Sequence, residues 1–137
     1  MAYEDTPVPV SQSQAAINKI LLKHKVLGVS WTSNVRPVRS EGINFSIEQD
    51  GRVFTIRVVA HPKSSDPQED RRIYRVLFYH IKGMFEAIDS KVLTFQEVFL
   101  PFVVTNSGKT VAEEMLPQFA ALGAPPGLDR QLQEPKK

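Results

Sequence analysis

The sequence predicts an α+β fold: a three-stranded antiparallel sheet packed on one long amphipathic helix, with additional helices toward both ends. Three observations carry this. Across 66–90, Ile73, Val76, Leu77, Ile81, Met84, Phe85 and Ile88 fall on one stripe of an α-helix. Across 43–59, apolar and polar side chains alternate on either side of Asp50-Gly51, a strong two-residue hairpin turn. The chain has 137 residues and is 42% hydrophobic, which suits one domain with a real core. The expected layout is an extended arm over 1–10, the domain over 11–123 and a disordered tail over 124–137.

The arm holds Pro7 and Pro9 and shows little periodicity. Ser11 and Gln14 then have the spacing of a polar helix start. That helix is expected to run to Lys25, burying Ile17, Ile20 and Leu21, with Lys23 and Lys25 near its negative end. A strand follows over 29–32, with Val29 and Trp31 on one face. The loop over 33–41 carries Arg36 and Arg39.

The hairpin strands are expected over 43–49 and 52–59. A two-residue turn at Asp50-Gly51 puts Ile47 opposite Phe54, Phe45 opposite Ile56 and Ile43 opposite Val58. The other face pairs Ser46 with Thr55 and Asn44 with Arg57. Slipping the register by one residue would move every apolar side chain to the wrong face. Asp66, Pro67 and Glu69 mark the start of the long helix, with Glu69 expected to reach back and complete a capping box. Thr94 with Glu97, and Thr110 with Glu113, are two further capping boxes. They open a short helix over 95–100 and a last helix over 111–122. Pro117 is expected to kink the last helix and Gly123 to end it.

The net charge is +2, distributed as −2 over 1–18, +5 over 19–91 and −1 over 92–137. There is no cysteine, so disulfides and thiolate metal sites are excluded. No signal peptide and no membrane-length apolar run is visible, and a cytoplasmic protein without a membrane partner is expected.

Few residues are spaced for chemistry. His24, His61 and His80 have no metal-ligand spacing. His80 reads as a packing residue. Asp66, Glu69 and Asp70 suit the positive end of a helix. The run from Asn106 to Thr110 lacks the first glycine of a phosphate-binding loop and reads as a turn into a helix. No catalytic, cofactor or metal residue is assigned, and no cofactor is expected.

Arg36, Arg39, Arg71, Arg72 and Arg75 are candidate nucleic-acid contacts, because the guanidinium fork suits phosphate. Arg52 and Arg57 add to the basic set. The order helix, three strands, helix over 11–90, with the run Arg71-Arg72-Ile73-Tyr74-Arg75, resembles the double-stranded RNA-binding domain. That resemblance implies phosphate contacts from the basic start of the last helix. Tyr74 stands where that family packs a small residue, the loop lacks its Gly-Pro-x-His signal, and Glu69 and Asp70 precede the arginines. The same core is similar in outline to single-strand annealing proteins.

A second resemblance runs from Arg75 through Met84 and Glu86 to Phe99-Leu100. It continues through the run from Val103 to Val111 and through Leu116-Pro117-Gln118. Over 11–122 the chain resembles a family of small proteins encoded by bacteriophages and mobile elements. This implies a setting inside a bacterial cell and transfers no functional residue.

Three readings of function follow. The first is a non-catalytic accessory module acting through protein contacts or self-assembly, with Tyr74, Phe78 and Tyr79 as candidate interface residues. The second is a nucleic-acid-binding accessory protein using the arginines. The third is a small-molecule-binding protein, which requires a concave pocket with converging polar groups.

Overall fold

The Asp50-Gly51 turn sets the sheet. In the computed structural model both residues have positive φ, 53° and 80°, the geometry that lets a two-residue loop follow the twist of its strands. The structure describes residues 3–123. The flanking strands β2 (Ser40–Gln49) and β3 (Arg52–Ala60) pair antiparallel in the predicted register, with Ile47 opposite Phe54, Phe45 opposite Ile56 and Ile43 opposite Val58. Strand β1 (Gly28–Asn34) pairs antiparallel with the other side of β2, giving the order β1-β2-β3. The first two strands are longer than predicted. Ser40, Glu41 and Gly42 resemble loop residues by propensity, but pairing to β1 on one side and β3 on the other holds them in the ladder.

The sheet lies against α2 (Pro67–Asp89), about 34 Å long at its 23 residues. Ile73, Tyr74, Leu77, Ile81, Met84 and Phe85 of α2 share one core with Ile43, Phe45, Ile56 and Val58 of the sheet. Phe45 and Phe85 each pack against Phe99, at ring separations of 6.0 and 5.4 Å. Each such side chain stabilises the fold by about 1.5–3 kcal/mol relative to its exposed state.

Asp66 caps α2 as expected, accepting from the Gln68 N–H at 2.9 Å. Glu69 does not reach back to Asp66. Its carboxylate accepts from the Lys63 N–H at 2.6 Å and is forked by Arg72, so a charged partner replaces the capping-box contact.

The first helix, α1 (Val10–Lys23), starts one residue before the predicted cap. Pro9 supplies the N-cap with no side-chain bond, and its carbonyl accepts from Gln12 and Ser13. Ser13, Ile17 and Leu21 form the buried face. His24 closes the helix: Nε2 is 2.7 Å from Asp89 at the far end of α2, and the ring stacks on Phe85.

The arm is not loose over its described residues. Tyr3 stacks on Tyr79 at 5.1 Å, Thr6 is buried, and the Gln68 amide donates to the carbonyls of Glu4 and Thr6.

After α2, both predicted capping boxes form, opening α3 (Phe95–Phe99) and α4 (Val111–Met115). A 3₁₀ turn, Leu100–Phe102, follows α3. Val103 and Val104 then lie along the free edge of β3, with the Val104 N–H donating to the Thr55 carbonyl at 2.9 Å. The last element departs from expectation. Rather than a kinked helix over 111–122, the α-helix stops at Met115 and Leu116–Leu122 is 3₁₀. Pro117 lacks an N–H, and its ring would clash with the Glu113 carbonyl in a continuing α-helix. Gly123 ends the segment in extended rather than left-handed backbone. The expected tail over 124–137 lies outside the described residues.

Candidate functional site

The first turns of α2 gather four of the five candidate arginines, and most of their donors are already used. Arg72 forks the Glu69 carboxylate at 2.7 and 2.8 Å. That hydrogen bond, opposed by desolvation, holds the Glu69 carboxyl down to about 2. Arg71 donates twice to the Gln68 side-chain oxygen. Arg39 reaches across from the β1–β2 loop to Asp70 and the Ser64 carbonyl. Arg75 lies over the Phe78 ring at 4.7 Å, with its Nε buried and without a hydrogen-bond partner. Arg36 is exposed in the β1–β2 loop with no hydrogen bond or ion pair among the described residues.

The candidate interface aromatics divide. Tyr74 is 4% exposed and is not part of the surface. Its hydroxyl donates to Glu41 Oε1 at 2.8 Å, and burial, with that bond, pushes its pKa up. The spacing Tyr74, Leu77, Ile81, Met84 continues the buried stripe, a signal that the basic neighbours Arg72 and Arg75 obscure. Phe78 is half-buried under Arg75. Tyr79 remains exposed but carries Tyr3 on its ring. The arm and a guanidinium thus cover part of the aromatic excess of α2.

A different surface is open. Leu116, Phe119 and Leu122 are 64, 69 and 59% exposed. In a 3₁₀ helix residues three apart eclipse, so these three form one apolar row. From Met115 to Gly123 there is no charged residue. The signal was the spacing of three around a helix-breaking proline.

The row borders a groove of about 660 Å³ between the outer face of the sheet and the C-terminal helices. Thr32, Arg57 and Val59 line its sheet side, while Phe102, Glu113 and Leu116 line the other. Gly42 pairs with both Thr32 and Val59, and a Cβ there would meet the Val58 carbonyl at 2.7 Å. The two charged groups of the groove, Arg57 and Glu113, hold the fold together. Arg57 donates to Asn44 and to the Gly108 carbonyl, both at 2.8 Å. Glu113 accepts from the Thr110 N–H, which lowers its pKa.

The remaining chemistry is sparse. His80 is exposed, with its ring edge-on to Phe102 at 5.7 Å, and partial desolvation lowers its pKa. The segment Asn106 to Thr110 is a turn into α4, with Gly108 at φ 86°. Among the described residues no group of three His, Asp or Glu is arranged to hold a metal ion. No helix among them is long and apolar enough to cross a membrane. Comparison with family models, curated proteins and solved structures gives no match.

Proposed function

We propose that the chain is a non-catalytic accessory binding module that assembles with a second copy of itself. The observation that carries this is the exposed row Leu116, Phe119, Leu122. An uncharged apolar row is complementary to its own copy, because two such rows meet without unpaired charge. Arg57 and Glu113 of the neighbouring groove are engaged in scaffolding, which favours docking through the apolar row. The resemblance to small phage and mobile-element proteins fits an accessory role in a bacterial cytoplasm.

Light scattering over a wide concentration range tests the reading. The mass is expected to rise from 15.4 kDa toward twice that value. The double variant Leu116→Ser, Phe119→Ser is expected to stay at one chain. A wild-type protein that remains a single chain at the highest concentration would sink it.

The nucleic-acid reading has less support, since four of its five arginines are engaged within the fold. Fluorescence anisotropy with single- and double-stranded DNA and RNA at low and moderate salt is expected to stay flat. Tight, salt-sensitive binding lost in Arg36→Ala with Arg39→Ala would reinstate that reading.

A further inference from the structure

Glu41 is an acid buried without a counter-ion. It sits on the core face of β2, two residues before Ile43, and is 8% exposed. It accepts from two neutral hydroxyls, Ser33 at 2.5 Å and Tyr74 at 2.8 Å. A carboxylate has about four acceptor positions, so these two leave capacity unused. Among the described residues, no Lys, Arg or His nitrogen lies within ion-pair distance of it. Arg39 acts on Glu41 only through space, because its guanidinium is held by Asp70 and the Ser64 carbonyl. Burying a carboxylate without a cationic partner is costly.

The space beside Glu41 is not filled by protein. A pocket of about 260 Å³ is lined by Gln14, Trp31, Ser33, Glu41, Asp70 and Tyr74. Trp31 and Tyr74 stand together with ring centroids 5.9 Å apart and an interplanar angle of 58°. The volume lies below the ~300–1,000 Å³ usual for drug-sized ligands, so it suits one small head group. Aromatic rings beside a carboxylate are the chemistry that recognises an organic cation. The planar guanidinium fits best, since it can fork onto a carboxylate while its face meets an aromatic ring.

We propose that this pocket binds a single organic cation, guanidinium in preference to alkylammonium, with Glu41 as its counter-ion and Trp31 and Tyr74 as its aromatic wall. The cation is the head of a basic side chain in a peptide or a free small guanidinium of the same chemistry. The site is separate from the C-terminal row and does not depend on self-assembly.

Trp31 is the single tryptophan of the chain, so its fluorescence reports on the pocket directly. The protein is titrated with methylguanidinium and butylammonium at constant ionic strength, with neutral methylurea as the control. The expected result is a saturable change with methylguanidinium, a weaker one with butylammonium and none with methylurea. Glu41→Gln, checked for folding by circular dichroism, is expected to weaken binding roughly 30-fold. Gln14→Lys supplies a tethered ammonium at the pocket wall. It is expected to abolish the titration and raise the thermal midpoint, which keeps the test intact if Glu41→Gln fails to fold. A non-saturating response, an equal response to methylurea, or unchanged binding in either folded variant would overturn the site. A capped Gly-Arg-Gly peptide divides the sources. Binding roughly tenfold tighter than methylguanidinium upholds a peptide side chain, and equal binding upholds a free small guanidinium.

Discussion

The first turns of α2 and the C-terminal helices treat their side chains in opposite ways. Between 67 and 79, Glu69, Asp70, Arg71 and Arg72 all have partners within the fold, and Arg75 lies on an aromatic ring. Between 111 and 122, Leu116, Phe119 and Leu122 face water. A dense basic run invites a functional reading, and an apolar run invites a core reading. Here the basic run is held by its own neighbours, Arg72 by Glu69, Arg71 by the Gln68 side-chain oxygen and Arg75 by the Phe78 ring, and the apolar run is left over. Arg72 and Arg71, each three residues beyond an acceptor, find Glu69 and Gln68 first, because the helix brings them side by side. The apolar row stays outside because Pro117 turns the chain into a 3₁₀ segment too short and too late to reach a core already filled by Phe95 and Phe99.

The same apolar truncation should therefore give contrasting results inside and outside the core. Phe99→Ala removes a ring with 0% exposure and is expected to cost about 3–5 kcal/mol in urea unfolding. A loss below about 1 kcal/mol would mean that the aromatic cluster can collapse around the gap.

Arg72→Ala comes next. It strips Glu69 of the fork and is expected to cost about 1–2 kcal/mol at neutral pH. The sign with pH follows from the depressed carboxyl. The fork's contribution is fully present above the ordinary carboxylate range and is lost as pH falls toward about 2. Unfolding curves of wild type and variant should converge over that descent, and parallel curves would assign the loss to packing.

In the C-terminal region, Thr110→Ala breaks the capping box of α4 and is expected to cost about 1 kcal/mol by thermal unfolding. Smallest is Phe119→Ala, which is expected to change stability by no more than about 0.5 kcal/mol while reducing association in light scattering. A large stability loss there would mean that the row packs within the chain.

Much of the fold was legible because it rests on short-range rules. Asp50-Gly51 fixed the hairpin register, and Thr94 with Glu97 and Thr110 with Glu113 formed their predicted caps. What escaped depended on contacts between distant residues. Glu41 looked like loop because Glu and Gly are poor strand formers, although the alternation Glu41, Ile43, Phe45, Ile47 already placed it on the core face. Tyr74 was masked by the arginines around it. Arg39 meets Asp70, and Glu69 meets the Lys63 N–H, across loops whose path no periodicity encodes. The candidate surface was the least legible part, since exposure of Leu116 and Phe119 depends on what the rest of the core has already covered.

The clasp between Gln68 and the arm also sets an order in time. Its hydrogen bonds join residues 64 and 62 positions apart, as the bond from His24 to Asp89 joins residues 65 apart. The hairpin, by contrast, closes across two turn residues and can form within about 1–10 μs. Long loops close at an entropic cost that only a formed partner repays. The hairpin is therefore expected to nucleate, α2 to condense on it, and the arm to fasten last. Pulse-labelled amide exchange would read this sequence directly: β2 and β3 should gain protection first, and simultaneous protection of Thr6 would exclude it.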